Sequence, residues 1–287
     1  MVSAAVATLI LGLAIGGSGY YRMDIAERVD SPLHPLLRPS GAIGLRLGML
    51  GFALFLVLAL YPLRKRWRWL GSIGKTSHWL DFHALVGITA PILITFHSSF
   101  KLGGLAGIAY WIMIAVALSG FVGRYLYSQI PRSLNAVQLD LGELQSQARH
   151  LAEELDRQCL LPVDALAPLL RIPTPAQVRG MSLCKLLWTM FCLDLARPVL
   201  VSRLRSRVLR GSQRFLTLGG CLKSGQSELE LAIASVRRQS WLGTKMAFLD
   251  RAQRAFHLWH VIHRPFSISF FLLVLVHVGV VLMLGYF

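Results

Sequence analysis

Five stretches of this chain are long and apolar enough to cross a bilayer, and nothing else restricts its fold so severely. They fall near residues 2–20, 44–62, 82–101, 105–127 and 262–286, each able to cover about 30 Å of hydrocarbon at ~1.5 Å per helical residue. A backbone in hydrocarbon has no water to bond, so such a span must be helical. The expectation is an all-α integral membrane bundle of about five transmembrane helices. A mean hydropathy of +0.55 agrees, as does a charged fraction of only 15%. The first run, "MVSAAVATLILGLAIGGSGYY", lacks a basic leading region and is as long as a span, so it reads as a retained anchor helix rather than a secretory signal.

Charge between the runs sets orientation. The loop after the second carries Arg64, Lys65, Arg66, Arg68 and Lys75, whereas the loop after the first balances Arg22, Arg28 and Arg38 against Asp24, Glu27 and Asp30. By the positive-inside rule the basic loop is cytoplasmic. The expected placement is therefore multi-pass in a bacterial inner membrane, N-terminus cytoplasmic and C-terminus outside. The polar stretch 128–256 falls on the cytoplasmic side, and its 18 Lys/Arg against 10 Asp/Glu account for much of the +16 formal charge. No basic cluster there is interleaved with stacking aromatics in a recognisable binding module. Membrane lipid headgroups or an acidic partner explain the charge more simply than nucleic acid does.

The expected organisation is an anchor helix and outer loop over 1–43, three spans over 44–127, a helical cytoplasmic insertion over 128–256 and a last span over 257–287. Within the insertion, "LGELQSQARHLAEEL" places Leu141, Leu144, Ala148, Leu151 and Leu155 on one helix face. "SLCKLLWTMFCLDLA" is too short and too charged to span, and reads as a core helix or one lying on the membrane surface. A third helical pattern, from about Glu228 to Phe256, runs on into the last span, and "LLRIPTPAQ" is a connecting loop punctuated by Pro173 and Pro175. Cys159, Cys184, Cys192 and Cys221 match no zinc-ribbon spacing. They read as reduced thiols, with a four-cysteine metal or iron–sulfur site as the alternative.

Chemistry enters with "HALVGITAPILITFH", His83 to His97, and "HRPFSISFFLLVLVH", His263 to His277. Both pairs are 14 residues apart. On a helix that separation returns to within about 40° of the starting face and rises roughly 21 Å, so each helix shows two rings on one side, one near each membrane face. The third and fifth spans run in the same direction, so depth pairs His83 with His263 on the cytoplasmic side and His97 with His277 nearer the outside. A lone histidine in a span is explained by a hydrogen bond to a neighbouring helix. Two matched pairs are harder to explain that way, because polar groups in hydrocarbon are costly.

Two opposed neutral imidazoles at each depth are what bis-histidine ligation of haem iron requires. Zinc or copper would want three or four ligands at one point. Two haem b groups stacked across the bilayer are therefore expected. Gly48 and Gly51 in the second span, with Gly107, Gly120 and Gly123 in the fourth, would line the cavity or serve ordinary helix packing. Arg264 and Lys101 sit where propionates would emerge, or snorkel to the interface. Pro91 bends the third span and adjusts ring direction. His78, His257 and His260 crowd the cytoplasmic end, with His260 the main rival to His263 as ligand. A quinone site near His257 and His260 is a further expectation, since a histidine can hydrogen-bond a quinone carbonyl.

The H-x13-H pattern on two parallel spans, separated by one intervening span, resembles the dihaem membrane cytochromes b: the ferric-reductase-like transmembrane family and the cytochrome b of quinol–cytochrome c oxidoreductases. The resemblance covers roughly the second to fifth spans and implies electron transfer across the membrane. Within these 287 residues there is no glycine-rich nucleotide fingerprint following a strand and no P-E-W-Y quinol-site motif. Electron entry and exit then fall to quinone or to partner subunits, such as a multihaem c-type cytochrome or an iron–sulfur or flavin protein docking on the insertion. The expected function is a dihaem electron-transfer subunit of a membrane oxidoreductase, with a ferric or metal reductase component, a haem or ion transporter, and a structural scaffold with merely packed histidines as alternatives.

Overall fold

The computed structural model describes residues 2–64, 66–130, 146, 173–208, 222, 225 and 227–285. Every regular element among them is helical. In order they are α1 (Val2–Gly16), α2 (Ser18–Arg22), a 3-10 turn (Glu27–Asp30), α3 (His34–Leu37), α4 (Ala42–Arg64), α5 (Arg68–Ser72), α6 (Thr76–His97), α7 (Gly104–Gln129), α8 (Pro175–Arg179), α9 (Leu183–Val208) and α10 (Ser227–Met283). The chain forms two compact units, one of Met1–Tyr125 with Leu258–Phe287 and one of Leu126–His257.

The first unit is a bundle of long apolar helices. Four helices among the described residues have the length and apolarity to span: α4, α6, α7 and the apolar part of α10. The run expected to span at 2–20 is helical as α1 and α2. The two join at Gly17, where Gly17 N–H donates to the Leu13 carbonyl and Tyr21 N–H to the Gly17 carbonyl, both at 2.9 Å and at α-helical spacing. An added Cβ at Gly17 would meet the Leu13 carbonyl and the Tyr21 ring. Ile10 and Leu13 of α1 pack on a cluster of Leu47, Leu93 and Phe96 from α4 and α6.

A second cluster, Phe55, Ala90, Met113 and Phe270, takes one residue from each of the four long helices. Its Phe55 and Phe270 rings meet edge to face at 4.8 Å, a geometry aromatic quadrupoles favour. α4 and α6 run antiparallel, with small residues at the contact: Gly48 faces the His97 ring, Gly51 faces Ile94, and Gly87 faces Leu58. Pro91 lies inside α6 and lacks an N–H, so that helix drops one internal bond at mid-span. The third span ends at His97, short of the expected 101, because Ser99 and Phe100 turn left-handed at φ 48° and 61°.

Two buried arginines fasten the connections. Arg28 donates to the carbonyls of Met23, Tyr21 and Ser99, while Ser99 Oγ donates to the Leu37 carbonyl at 2.6 Å. Arg64, at the end of α4, donates to the carbonyls of Gly71, Ile73 and Gly74 and to Thr76 Oγ1. Each binds the loop beside it to a membrane helix.

In the second unit α9 is amphipathic. Leu186, Met190, Val201 and Leu204 are buried on one side, and Trp188 and Leu195 are exposed on the other. Arg205 of α9 grips Glu230 of α10 with two bonds, at 2.8 and 2.6 Å. Gln129 at the end of α7 donates to Asp194 at 2.7 Å, and Lys245 donates to the Ser128 carbonyl at 2.6 Å. The expected loop at Pro173 and Pro175 is in part a short helix. Thr174 and Gln177 form a capping box at the start of α8, and proline in its first turn has no N–H to waste. The expected helix at 141–155, with Cys159 and Cys221, lies outside the described residues, apart from Ser146. Cys184 and Cys192 are free thiols on α9.

Candidate functional site

Four histidines placed by α6 and α10 define the candidate site. His97 and His277 lie within electrostatic range of each other, as do His263 and His83. α6 and α10 are thus aligned in the same direction, one histidine of each helix at each depth. His83, His97 and His263 are partly buried, and the His277 ring is exposed. His260 also lies within range of His263, but its ring meets Trp259 edge-on at 4.8 Å.

Hydrogen bonds fix which ring nitrogen is available. His97 Nδ1 lies 2.8 Å from the Gly44 carbonyl. A carbonyl only accepts, so Nδ1 carries the proton and Nε2 keeps its lone pair. His263 Nδ1 lies 2.6 Å from Ser119 Oγ, and that hydroxyl donates to the Val116 carbonyl at 2.8 Å. With its proton so used, Ser119 accepts from Nδ1–H, and His263 takes the same tautomer. His83 faces the Leu58 carbonyl, 14 residues along α4 from Gly44. That contact falls outside hydrogen-bond geometry, so the buried His83 Nδ1 has no hydrogen-bond partner among the described residues. The His83 ring packs against Tyr61 at 5.1 Å.

The glycines divide by what surrounds them. A Cβ on Gly48 would come within 2.7 Å of Nδ1 and Cε1 of His97, so only glycine leaves that ring its place. Gly51 is filled by Ile94, Gly107 sits against the Leu102 backbone, and Gly120 meets nothing within 4 Å. Gly123 is covered by the indole of Trp259. The structure thus ties Gly48 to a histidine and gives Gly120 no contact with one. Lys101 and Arg264 are both exposed, at the ends of the histidine-bearing segments.

Three features of the site escaped sequence reasoning. Trp259 stacks on His263 at 4.5 Å with 25° between the planes, and its Nε1 donates to the Ser119 carbonyl at 2.7 Å. The four-residue step from Trp259 to His263, one helical turn, is the signal that could have found it. Ser119 announces itself only as a polar residue inside an apolar run. Tyr61 carried no signal, since aromatics are common near membrane interfaces.

The residues fit an axially ligated macrocycle. Two imidazoles occur at each depth, tautomers leave Nε2 available in His97 and His263, and Gly48 makes close approach possible. Among the described residues no three His, Cys, Asp or Glu side chains converge to hold a metal ion directly. No protein-family model, no curated protein and no solved structure matches the chain.

Proposed function

We propose that this protein is a dihaem b-type cytochrome subunit that carries electrons across a bacterial inner membrane. The observation that carries this reading is the alignment of His83 with His263 and of His97 with His277 across α6 and α10. His83 with His263, and His97 with His277, would each hold one haem, whose iron would supply one-electron redox chemistry when bound. The Nδ1–H bonds of His97 and His263 support this reading, since they fix each ring and leave its Nε2 to a haem iron. The buried apolar cluster of Phe55, Ala90, Met113 and Phe270 would keep solvent reorganisation low along an electron path. Arg264 and Lys101 would pair with the propionates.

The same reading implies partners. Electrons enter from a quinone or from a cytoplasmic iron–sulfur or flavin protein docked on the second unit. They leave to a redox protein outside, such as a multihaem c-type cytochrome, or travel the reverse way.

The reading is tested by vesicles loaded with ferricyanide, with the protein reconstituted in the wall and an impermeant reductant added outside. Internal ferricyanide should be reduced in vesicles with wild-type protein and not in empty vesicles or in those with His97→Ala. Equal rates in all three would sink the proposal.

A further inference from the structure

In the second unit, α9 turns an apolar stripe away from the side it buries. Trp188, Leu195 and Val199 are 68%, 62% and 48% exposed and follow one another at steps of seven and four residues, which places them on one face of the helix. Cys184, four residues before Trp188, continues the stripe and is exposed as well. We propose that this stripe lies in the surface of an anionic phospholipid bilayer, the same membrane that the long apolar helices cross. The proposal rests on reading those helices as spans and does not depend on the histidine site.

Side-chain chemistry and charge lead to it. A helix on a protein surface ordinarily turns polar residues outward, whereas the outward residues at the centre of this face are apolar. Lys185 and Arg203 are both exposed and 18 residues apart, about five full turns, so they share one margin of the stripe. Neither forms an ion pair among the described residues. Asp194 is the one acidic residue of α9, and it is engaged through both oxygens, with Arg197 at 2.6 Å and Gln129 at 2.7 Å. The stripe is thus bordered by cations, and the helix's single carboxylate is already taken. Tryptophan and aliphatic side chains on one face, with Lys and Arg at its edge, are the makeup of helices that lie at headgroup level. Each such cation is drawn to an anionic lipid surface.

The connection to the rest of the chain favours a bilayer over a soluble partner. α10 is one helix from Ser227 to Met283, so the element whose Glu230 is gripped by Arg205 of α9 continues without a break into an apolar span. The second unit is therefore tied to the membrane by its own backbone. A tied surface meets lipid at high effective concentration, and the weak affinity of one apolar stripe suffices.

The test uses the full chain in nanodiscs, with Cys159→Ser, Cys192→Ser and Cys221→Ser leaving Cys184 to carry an environment-sensitive fluorophore. In discs of phosphatidylglycerol a spin-labelled lipid should quench the fluorophore, and aqueous iodide should not. Leu195→Asp/Val199→Asp places charge on the stripe and should reverse both results. Lys185→Glu/Arg203→Glu should weaken the lipid quenching. All four positions are exposed, so helicity by circular dichroism should match the parent in each variant. Quenching by iodide and not by lipid overturns the proposal, as does lipid quenching unchanged in the aspartate variant. Protection from iodide without lipid quenching assigns the face to protein contact and overturns it too. A chain that fails to enter the discs overturns it together with the reading of the spans, whereas a chain that enters with an unquenched label leaves the spans standing.

Discussion

At the scale of single residues, the histidines differ in what their Nδ1 atoms touch. His97 donates to a backbone carbonyl, His263 to a serine hydroxyl, and His83 Nδ1 is buried without a hydrogen-bond partner among the described residues. A stronger acceptor makes the imidazole a more electron-rich ligand and lowers the potential of the metal it holds. Ser119→Ala removes the acceptor from His263. If each histidine pair holds a haem, potentiometric titration should then show two haems still bound, with only the midpoint of the one at His83 and His263 moved upward. Gly48 and Gly120 make a matched pair. Gly48→Ala should drive the His97 ring out of place and cut haem per chain from two to one. Gly120→Ala meets no neighbour, and should leave haem content unchanged while stabilising α7 by up to about 1 kcal/mol. Equal haem loss in both variants would show that close approach at Gly48 is not what matters.

At the scale of elements, periodicity and hydropathy made α4, α6, α7 and α10 legible, since a span must be helical and must be long. The continuous run from the insertion into the last span was legible too, because no proline breaks it before Pro265, which α10 tolerates inside the helix. The run read at 2–20 is helical as α1 and α2, and its join at Gly17 was not visible from hydropathy, which counts straight through that glycine. Neither arginine fastening was visible, because which carbonyls converge on one side chain depends on loop geometry. Arg28 is 4% exposed and serves three carbonyls next to the left-handed turn after His97. Arg28→Ala should leave those acceptors unpaired and lower stability by about 2–4 kcal/mol in detergent unfolding. Arg38→Ala, in the same connection, should cost much less.

For the whole molecule, equal H-x13-H spacing singled out four histidines that α6 and α10 bring within electrostatic range in pairs, because rise along a helix is proportional to sequence distance. Sequence left the support around them hidden, since Ser119, Trp259 and Tyr61 reach the histidines only through helix rotation and packing. The central claim is that the two aligned pairs each hold one haem. It is tested most directly by a reduced-minus-oxidised spectrum of purified protein with haem quantified per chain, for the wild type and for His83→Ala and His97→Ala. Two b-type haems in the wild type and one in each variant is the predicted result. A wild-type protein without Soret absorbance after expression with ample haem, or variants that both retain two haems, would contradict it.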